Sequence, residues 1–446
     1  MRAENTDQSL RSAHSGQAID EAKASAHAPY VLAMLFLVLI LSLIDRNILG
    51  ILVDDIKADL GISDTRFGLL TGPAFALTNA IAGLPFARLA DRWSRRGIIA
   101  WGLFAWSVLT ALQGVTRTFG TLLATRVGVG IGEATTGPSA HSLIADYFPM
   151  RSRATALAIY TLGGHVGVWL AFLVGGWLSD TYSWRTALVV LGLPGVVLAL
   201  LVGLTIKEPV RGAIEGRVDS GENLPLGEVL RVLFQKPTFR HLTMALPLFV
   251  CTSYSLNSWG PAFMMRVHGL TKTEIGLYFG MIVGLAGGAG SILGGVLSDR
   301  LARRDRRWYA WLPGLANLLA VPFYIGFLFL PDPRLALGML VPSVLLSATC
   351  VAPLWAANQA IAPLRMRATA YAVIHLGLSA ISGGLAPLLV GILNDAFTPT
   401  LGPEAVRYSL LLVVATSLWG ALHAVLAARR LPGDLATADA AASQLP

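Results

Sequence analysis

Cysteine is nearly absent from this sequence: Cys251 and Cys350 are the only two in 446 residues, and both lie inside apolar runs. That excludes a disulfide framework and a thiolate metal site. Charge is scarce as well. Asp, Glu, Lys and Arg make up 13% of the chain, against about 25% in soluble domains, too little to cover a water-facing surface. No lysine follows a glycine, so the Gly-x-x-x-x-Gly-Lys loop of a nucleotide-driven pump is missing. Histidines and carboxylates do not cluster for a metal, and no nucleophile sits with a base. The recognisable enzyme patterns are therefore missing, and no cofactor is expected. Residues 1–28 lack the apolar stretch and small-residue cleavage site of a secretory leader.

What is present is apolar sequence, 54% of the chain. A helix needs about 20 apolar residues to cross a bilayer. Stretches of that kind fall at 30–53, 66–89, 97–117, 120–147, 152–178 and 184–206, and again at 240–265, 273–298, 308–330, 334–362, 367–392 and 405–428. The expectation is an all-α membrane protein of twelve transmembrane helices. The net charge of +8 comes from short clusters between spans, not from a basic helix, so it reports topology and not nucleic acid. With both termini cytoplasmic, roughly three-quarters of the 34 Lys and Arg fall on the inside.

The longest interior interruption, 207–239, divides the spans six and six. The domain reading is a disordered tail at 1–28, a six-helix bundle at 29–206, a cytoplasmic linker at 207–239, a second bundle at 240–430 and a disordered tail at 431–446. Within the linker, Leu226, Val229, Leu230, Leu233 and Phe234 follow helical spacing, predicting a short amphipathic helix.

The halves are related. Residues 61–96 align with 269–304 without a gap, pairing Gly61 with Gly269, Gly68 with Gly276, Gly72 with Gly280, and Asp91, Arg92, Arg95 and Arg96 with Asp299, Arg300, Arg303 and Arg304. Arg151-Ser-Arg-Ala-Thr-Ala156 recurs as Arg365-Met-Arg-Ala-Thr-Ala370. Parallel repeats of this kind place a substrate cavity between the halves, near the midplane.

Four charges cannot be moved to an interface: Asp45, Arg46, Arg126 and Glu133. Each costs about 2.5–3.5 kcal/mol at a bilayer centre, so they should face a cavity and each other. Arg126 and Glu133 share a face of the fourth span, two turns apart, and span direction brings Asp45 into their layer, where it could bridge to either. Arg46 points about 100° away and would need another partner or water. The reading is a proton-coupling and substrate site, with Glu133 carrying the proton and Arg126, with Asp45, contacting a head group. A permanent buried ion pair is the structural alternative. His165 and His375 lie at matching places in the fifth and eleventh spans. Tyr254, Asn257, Trp259, Trp355 and Asn358 could line the second half of the cavity, or serve in helix packing.

Asp91-Arg-Trp-Ser-Arg-Arg96 and its counterpart at 299–304 resemble the signature loop of the major facilitator superfamily, with Ala87 and Ser94 standing where glycines are common. Within it, Ile44-Asp-Arg-Asn47, Gly128-Val-Gly-Ile-Gly-Glu-Ala134, Ser142-Leu-Ile-Ala-Asp146 and Lys207-Glu-Pro-Val-Arg-Gly212 resemble the Spinster group of lipid transporters. The resemblance implies the two-bundle major facilitator fold, an inner-membrane location, a monomer, and proton-coupled carriage of a lysophospholipid-like or sphingoid-like amphiphile through Asp45, Arg46, Arg126 and Glu133. It also implies a cytoplasmic gate of Asp91, Arg92, Arg95, Arg96, Asp146, Asp299, Arg300, Arg303 and Arg304. Symport of small organic anions and drug/proton antiport are the alternatives. The second half offers no intramembrane arginine, which favours an amphiphile over a small anion.

Overall fold

A computed structural model describes residues 2–209, 225–363 and 366–443, and the side chains of these except 2–26, 91, 150, 151, 154, 368 and 437–443. The described residues are helical almost throughout, with no strand among them. In the first half the order is α1 (Arg2–Ile51), α2 (Val53–Leu60), α3 (Asp64–Thr71), α4 (Pro73–Arg92), α5 (Arg95–Gln113), α6 (Phe119–Glu133), α7 (Thr136–Tyr147), α8 (Met150–Thr181) and α9 (Trp184–Thr205). A linker helix, α10 (Leu226–Gln235), follows. The second half comprises α11 (Pro237–Arg266), α12 (Lys272–Met281), α13 (Gly287–Ala302), α14 (Trp308–Phe329), α15 (Pro333–Ala348), α16 (Val351–Ile361), α17 (Arg367–Gly377), α18 (Ala386–Leu401) and α19 (Ala405–Ser443). Helical rods occupy each of the twelve stretches expected from hydropathy. Among the described residues, eight helical segments are long and apolar enough to cross a membrane, and one of these, Thr369–Ala436, contains two rods.

Several rods are interrupted where the sequence is rich in small residues. π-helical turns at Ile282–Ala286 and Leu378–Leu385 join α12 to α13 and α17 to α18. The fourth rod breaks after Glu133, where Thr135 N–H turns back to the Gly132 carbonyl at 3.3 Å. The repeat is visible in the geometry. Gly61 and Gly269 both adopt positive φ, 60° and 68°, and each is followed two residues later by an N-cap hydroxyl, Ser63 and Thr271.

The repeat glycines also make the contacts between halves. A Cβ on Gly68 would lie 2.8 Å from the Pro387 carbonyl oxygen, and one on Gly276 would lie 2.4 Å from that of Phe172. The same crossing, α3 on α18 and α12 on α8, is thus made twice by equivalent positions. One apolar core draws on both halves, with Ile48, Phe67 and Phe172 packed among Trp259, Phe263 and Phe279. The other two cores belong to one half each: Leu35, Trp106 and Tyr160 in the first, Phe239, Leu354 and Leu431 in the second. The halves are joined at the end remote from the 91–96 and 299–304 loops and part towards those loops.

Helix extends into both stretches read as tails. Residues 2–28 continue α1, and Ala28 is buried. α19 runs on to Ser443, with Leu431 and Leu435 buried one turn apart and Asp434 accepting from Thr238 N–H at 2.9 Å. At the C-terminal end the partner is the start of α11, through Thr238, which composition alone does not reveal. The amphipathic linker helix is present as α10, burying Val229 and Leu233. Linker residues 210–224 lie outside the described residues.

Candidate functional site

The four intramembrane charges converge, but their partners differ from those expected. Arg46, not Asp45, bridges to the fourth span: its Nε donates to Glu133 Oε2 at 2.7 Å. Ser42, one turn earlier on α1, donates to the same oxygen at 2.7 Å. Glu133 Oε1 is buried with no hydrogen-bond partner among the described residues. Arg126 bridges no carboxylate among the described residues. Its guanidinium donates to three backbone carbonyls, Asp45 at 2.9 Å, Arg46 at 3.3 Å and Leu70 at 3.4 Å. The reason is azimuth. Successive residues on α1 diverge by about 100°, and the packing turns Arg46 towards Glu133 and Asp45 towards α5, where Thr110 and Trp106 stand beside its carboxylate.

Phe75 on α4 lies against both arginines, its ring centre 5.1 Å from the Arg46 guanidinium carbon and 4.6 Å from that of Arg126. Such cation–π contacts stabilise desolvated charge. The two arginines are otherwise unlike. Arg126 is 1% exposed, whereas the Arg46 side chain is 31% exposed and reaches the opening between the halves, within electrostatic range of Tyr160, Tyr254 and His375. Arg46 can meet a solute. Arg126 is enclosed by protein in this conformation.

On the facing half, Trp355 and Tyr371 stack at 4.5 Å between ring centres, and Tyr371 and His375 stack at 5.7 Å, within 10° of parallel. Tyr254 is exposed nearby, next to Gly383. His165 lies between the halves, its Nε2 3.3 Å from Ser291 Oγ. Asn257 is half-buried and sits by Gly50 of α1. Asn358 is fully buried, with both amide atoms unpartnered among the described residues. Trp259 does not line the opening: it is fully buried where the halves join, donating to the Pro387 carbonyl at 2.9 Å and meeting Phe67 edge-on.

The loop residues separate into two groups. Arg95 is buried, bonds Asp146, and donates to Glu208 at 2.8 Å, so it ties α5 to α7 and to the segment after α9. Arg96 joins them through its N–H to Glu208 and its side chain to the Ile206 carbonyl. Burial by itself would raise the Glu208 carboxyl, but hydrogen bonds from Arg95, Arg96 and Ser94 outweigh it and hold it below the usual carboxylate range. Arg92, Arg300, Arg303 and Arg304 are exposed. Asp299 accepts from Tyr309 at 3.1 Å. The Asp91 side chain lies outside the described residues.

A cross-half network at the opposite end was not anticipated. Arg266 donates to Asp54 at 2.6 Å and to Asp64 at 2.7 Å. Lys57 pairs with the same Asp64, and Lys272 reaches Asp55 at 2.7 Å. Asp395 accepts from the Asp64 and Thr65 N–H groups at the start of α3, as an anion at a helix N-terminus should. The sequence signal was available: four aspartates between 54 and 64 in a chain poor in acid.

This is the arrangement of a carrier: two repeat-related bundles, joined at one end, with buried charge where they part. The sequence model of the Major Facilitator Superfamily matches residues 35–387. The chain belongs to the major facilitator superfamily. It is a multi-pass membrane transporter and not an enzyme. An MFS-type efflux pump of Mycolicibacterium smegmatis is 34% identical over 427 residues, covering 94% of this chain and 97% of that protein. Human protein spinster homolog 1 is 28% identical over 411 residues, 86% of this chain and 77% of that one. A crystal structure of a bacterial homologue of the human lysosomal transporter Spinster, inward-facing and unoccupied, superposes with a TM-score of 0.81 at 32% identity, over 92% of this chain and 98% of that chain. The resemblance to Spinster carried by the Gly-Ile-Gly-Glu-Ala and Asp-Arg stretches therefore holds across the fold.

Proposed function

We propose that this superfamily member is a proton-coupled secondary transporter of the cell inner membrane, acting as a monomer and moving an amphiphile of the lysophospholipid or sphingoid type by alternating access. Its twelve helices cross with both termini in the cytoplasm, so the parted end faces inward. The observation that carries the reading is the Arg46–Glu133 bridge, half open to the space between the halves, with one Glu133 oxygen left unpartnered.

The chemistry follows from that bridge. Ionised Glu133 holds Arg46 back against the first half. A proton on Glu133 removes the countercharge, and an unpaired guanidinium in a desolvated site costs several kcal/mol. Arg46 then seeks an anion, which a phosphate or carboxylate head group supplies. The Trp355–Tyr371–His375 stack opposite offers apolar faces for the rest of an amphiphile. When the halves close over the parted end, Asp91, Arg92, Arg96, Asp299, Arg300, Arg303 and Arg304 come together as the inner gate, while Arg95 and Asp146 hold the first half's side of it.

Export by proton antiport is the second reading, supported by the efflux function in the name of the 34% identical relative. The two are separated in proteoliposomes carrying an imposed pH difference, challenged with lysophospholipids, sphingoid bases and small carboxylic acids. Uptake of an amphiphile along the proton gradient supports symport, and movement against it supports export. Glu133→Gln should abolish the dependence on the gradient. Full gradient-driven transport by that variant would overturn the assignment.

A further inference from the structure

The linker helix α10 lies outside the twelve apolar stretches, so exposed apolar side chains on it are not accounted for by a membrane span. Its apolar residues form one arc. At about 100° per residue, with Leu226 as origin, Leu230 and Phe234 follow at about 40° and 80°, and Leu233 and Val229 at about −20° and −60°. Protein covers only one edge of that arc. Val229 and Leu233 are buried in the core of the second half, the core that holds Phe239 and Ile361. Leu226 is 64% exposed, Phe234 is 40% exposed and Leu230 is half-buried.

Charge is placed to match. Arg231 is exposed and flanks the open edge of the arc at about 140°, whereas Glu228 stands on the far side at about 200°. From 225 to 240, Glu228 is the lone acidic residue against Arg231, Lys236 and Arg240. Lys236 is occupied, donating to the Ile361 carbonyl at 2.7 Å, but Arg240 is exposed in the first turn of α11. Arg429 and Arg430 on α19 are exposed as well, and Arg240 and Arg430 both lie within electrostatic range of His241. The Phe234 ring meets Phe239 edge-on at 5.3 Å, which holds the open edge at the end of α11. An apolar stripe flanked by arginines, at the end of a span, fits the boundary between headgroups and acyl chains. Clustered arginines at that level select anionic headgroups.

We propose that α10 docks on the anionic lipid surface at the parted end of the molecule, with Leu226, Leu230 and Phe234 bedded among the first acyl carbons and Arg231 and Arg240 on headgroup phosphates. Val229 and Leu233 tie α10 to the second half, so docking anchors that half in the leaflet while the first half moves against it. The choice of the inner leaflet, and of the moving half, rests on the orientation and alternating access proposed above; the docking itself does not.

Spin labels on the full chain test it without a substrate. Cys251 and Cys350 are buried, so label goes to cysteines placed singly as Leu226→Cys, Glu228→Cys, Phe234→Cys and Gln235→Cys. In bilayer discs of phosphatidylglycerol and phosphatidylcholine, power saturation compares oxygen, which concentrates in lipid, with a water-soluble nickel chelate. Labels at 226 and 234 should favour oxygen, and labels at 228 and 235 should favour nickel. Replacing the phosphatidylglycerol with phosphatidylcholine should shift the label at 234 towards nickel, and adding Arg231→Gln/Arg240→Gln should abolish that shift. Nickel preference at 226 and 234 in both bilayers overturns the docking. Exclusion of both reagents there overturns it too, because protein, of this chain or of a second copy, then covers the stripe. A depth indifferent to lipid charge overturns the choice of an anionic surface. Neither transport nor orientation enters the measurement, so its failure is distinguishable from failure of the carrier reading.

Discussion

Arg126 holds Asp45 by its backbone carbonyl, at 2.9 Å, and not by its carboxylate. The arginine spends its donors on the carbonyls of residues 45, 46 and 70, locking α1 and α3 onto α6. Arg46, one residue from that contact, is left to respond to Glu133. On the proposed mechanism the two arginines thus divide structure from response.

Truncating them should separate those roles. Arg126→Ala strips donors from carbonyls in a buried site and should cost at least about 3 kcal/mol of stability, seen as a lowered thermal midpoint. Arg46→Ala leaves the buried Glu133 carboxylate without its cation. The stability comparison therefore uses Arg46→Ala/Glu133→Gln, which should hold the midpoint within a few degrees, while Arg46→Ala should reduce gradient-driven transport about tenfold or more. Equal loss of stability in Arg126→Ala and the double variant would refute the division.

The aromatic stack predicts selectivity. Trp355→Ala and Tyr371→Ala each remove a ring face opposite Arg46. Competition binding should show an amphiphile weakened about tenfold, ~1.4 kcal/mol, with a small carboxylic acid unchanged. Similar weakening of both ligands would count against the amphiphile.

The outer network predicts a conformational bias. Arg266→Ala leaves Asp64, 1% exposed, with Lys57 as its remaining cationic partner and removes the link to Asp54. Breaking one side of a buried pair costs about 3 kcal/mol, here charged to the state in which the outer ends touch. Electron-spin distances between one label on each half at that end should lengthen relative to wild type. An unchanged distribution would show that the glycine crossings alone hold the halves together.

Glu208 predicts a pH window. Its folded carboxyl sits below the ordinary range, so its contribution is fully present above the unfolded value, about 4.3, and is lost as pH falls through the folded value. The thermal midpoint of Glu208→Gln should lie below that of the wild type at neutral pH, and the gap should close under acid. A gap that widens on acidification contradicts the sign.

Much of this molecule was legible in its residues. The positions of the rods follow from where apolar runs are punctuated. The repeat shows in Gly68 and Gly276, and the cost of charge in lipid singled out Asp45, Arg46, Arg126 and Glu133. Depth follows from 1.5 Å per residue along a span, so even their common layer could be read. Helical phase gives only which residues of one rod share a face; which neighbouring rod that face meets is decided by packing among all of them. For that reason the exchange of roles between Asp45 and Arg46, the burial of Trp259 where the halves join, the reach of Arg266 to Asp54 and Asp64, and the end at which the halves part belonged to the tertiary structure alone.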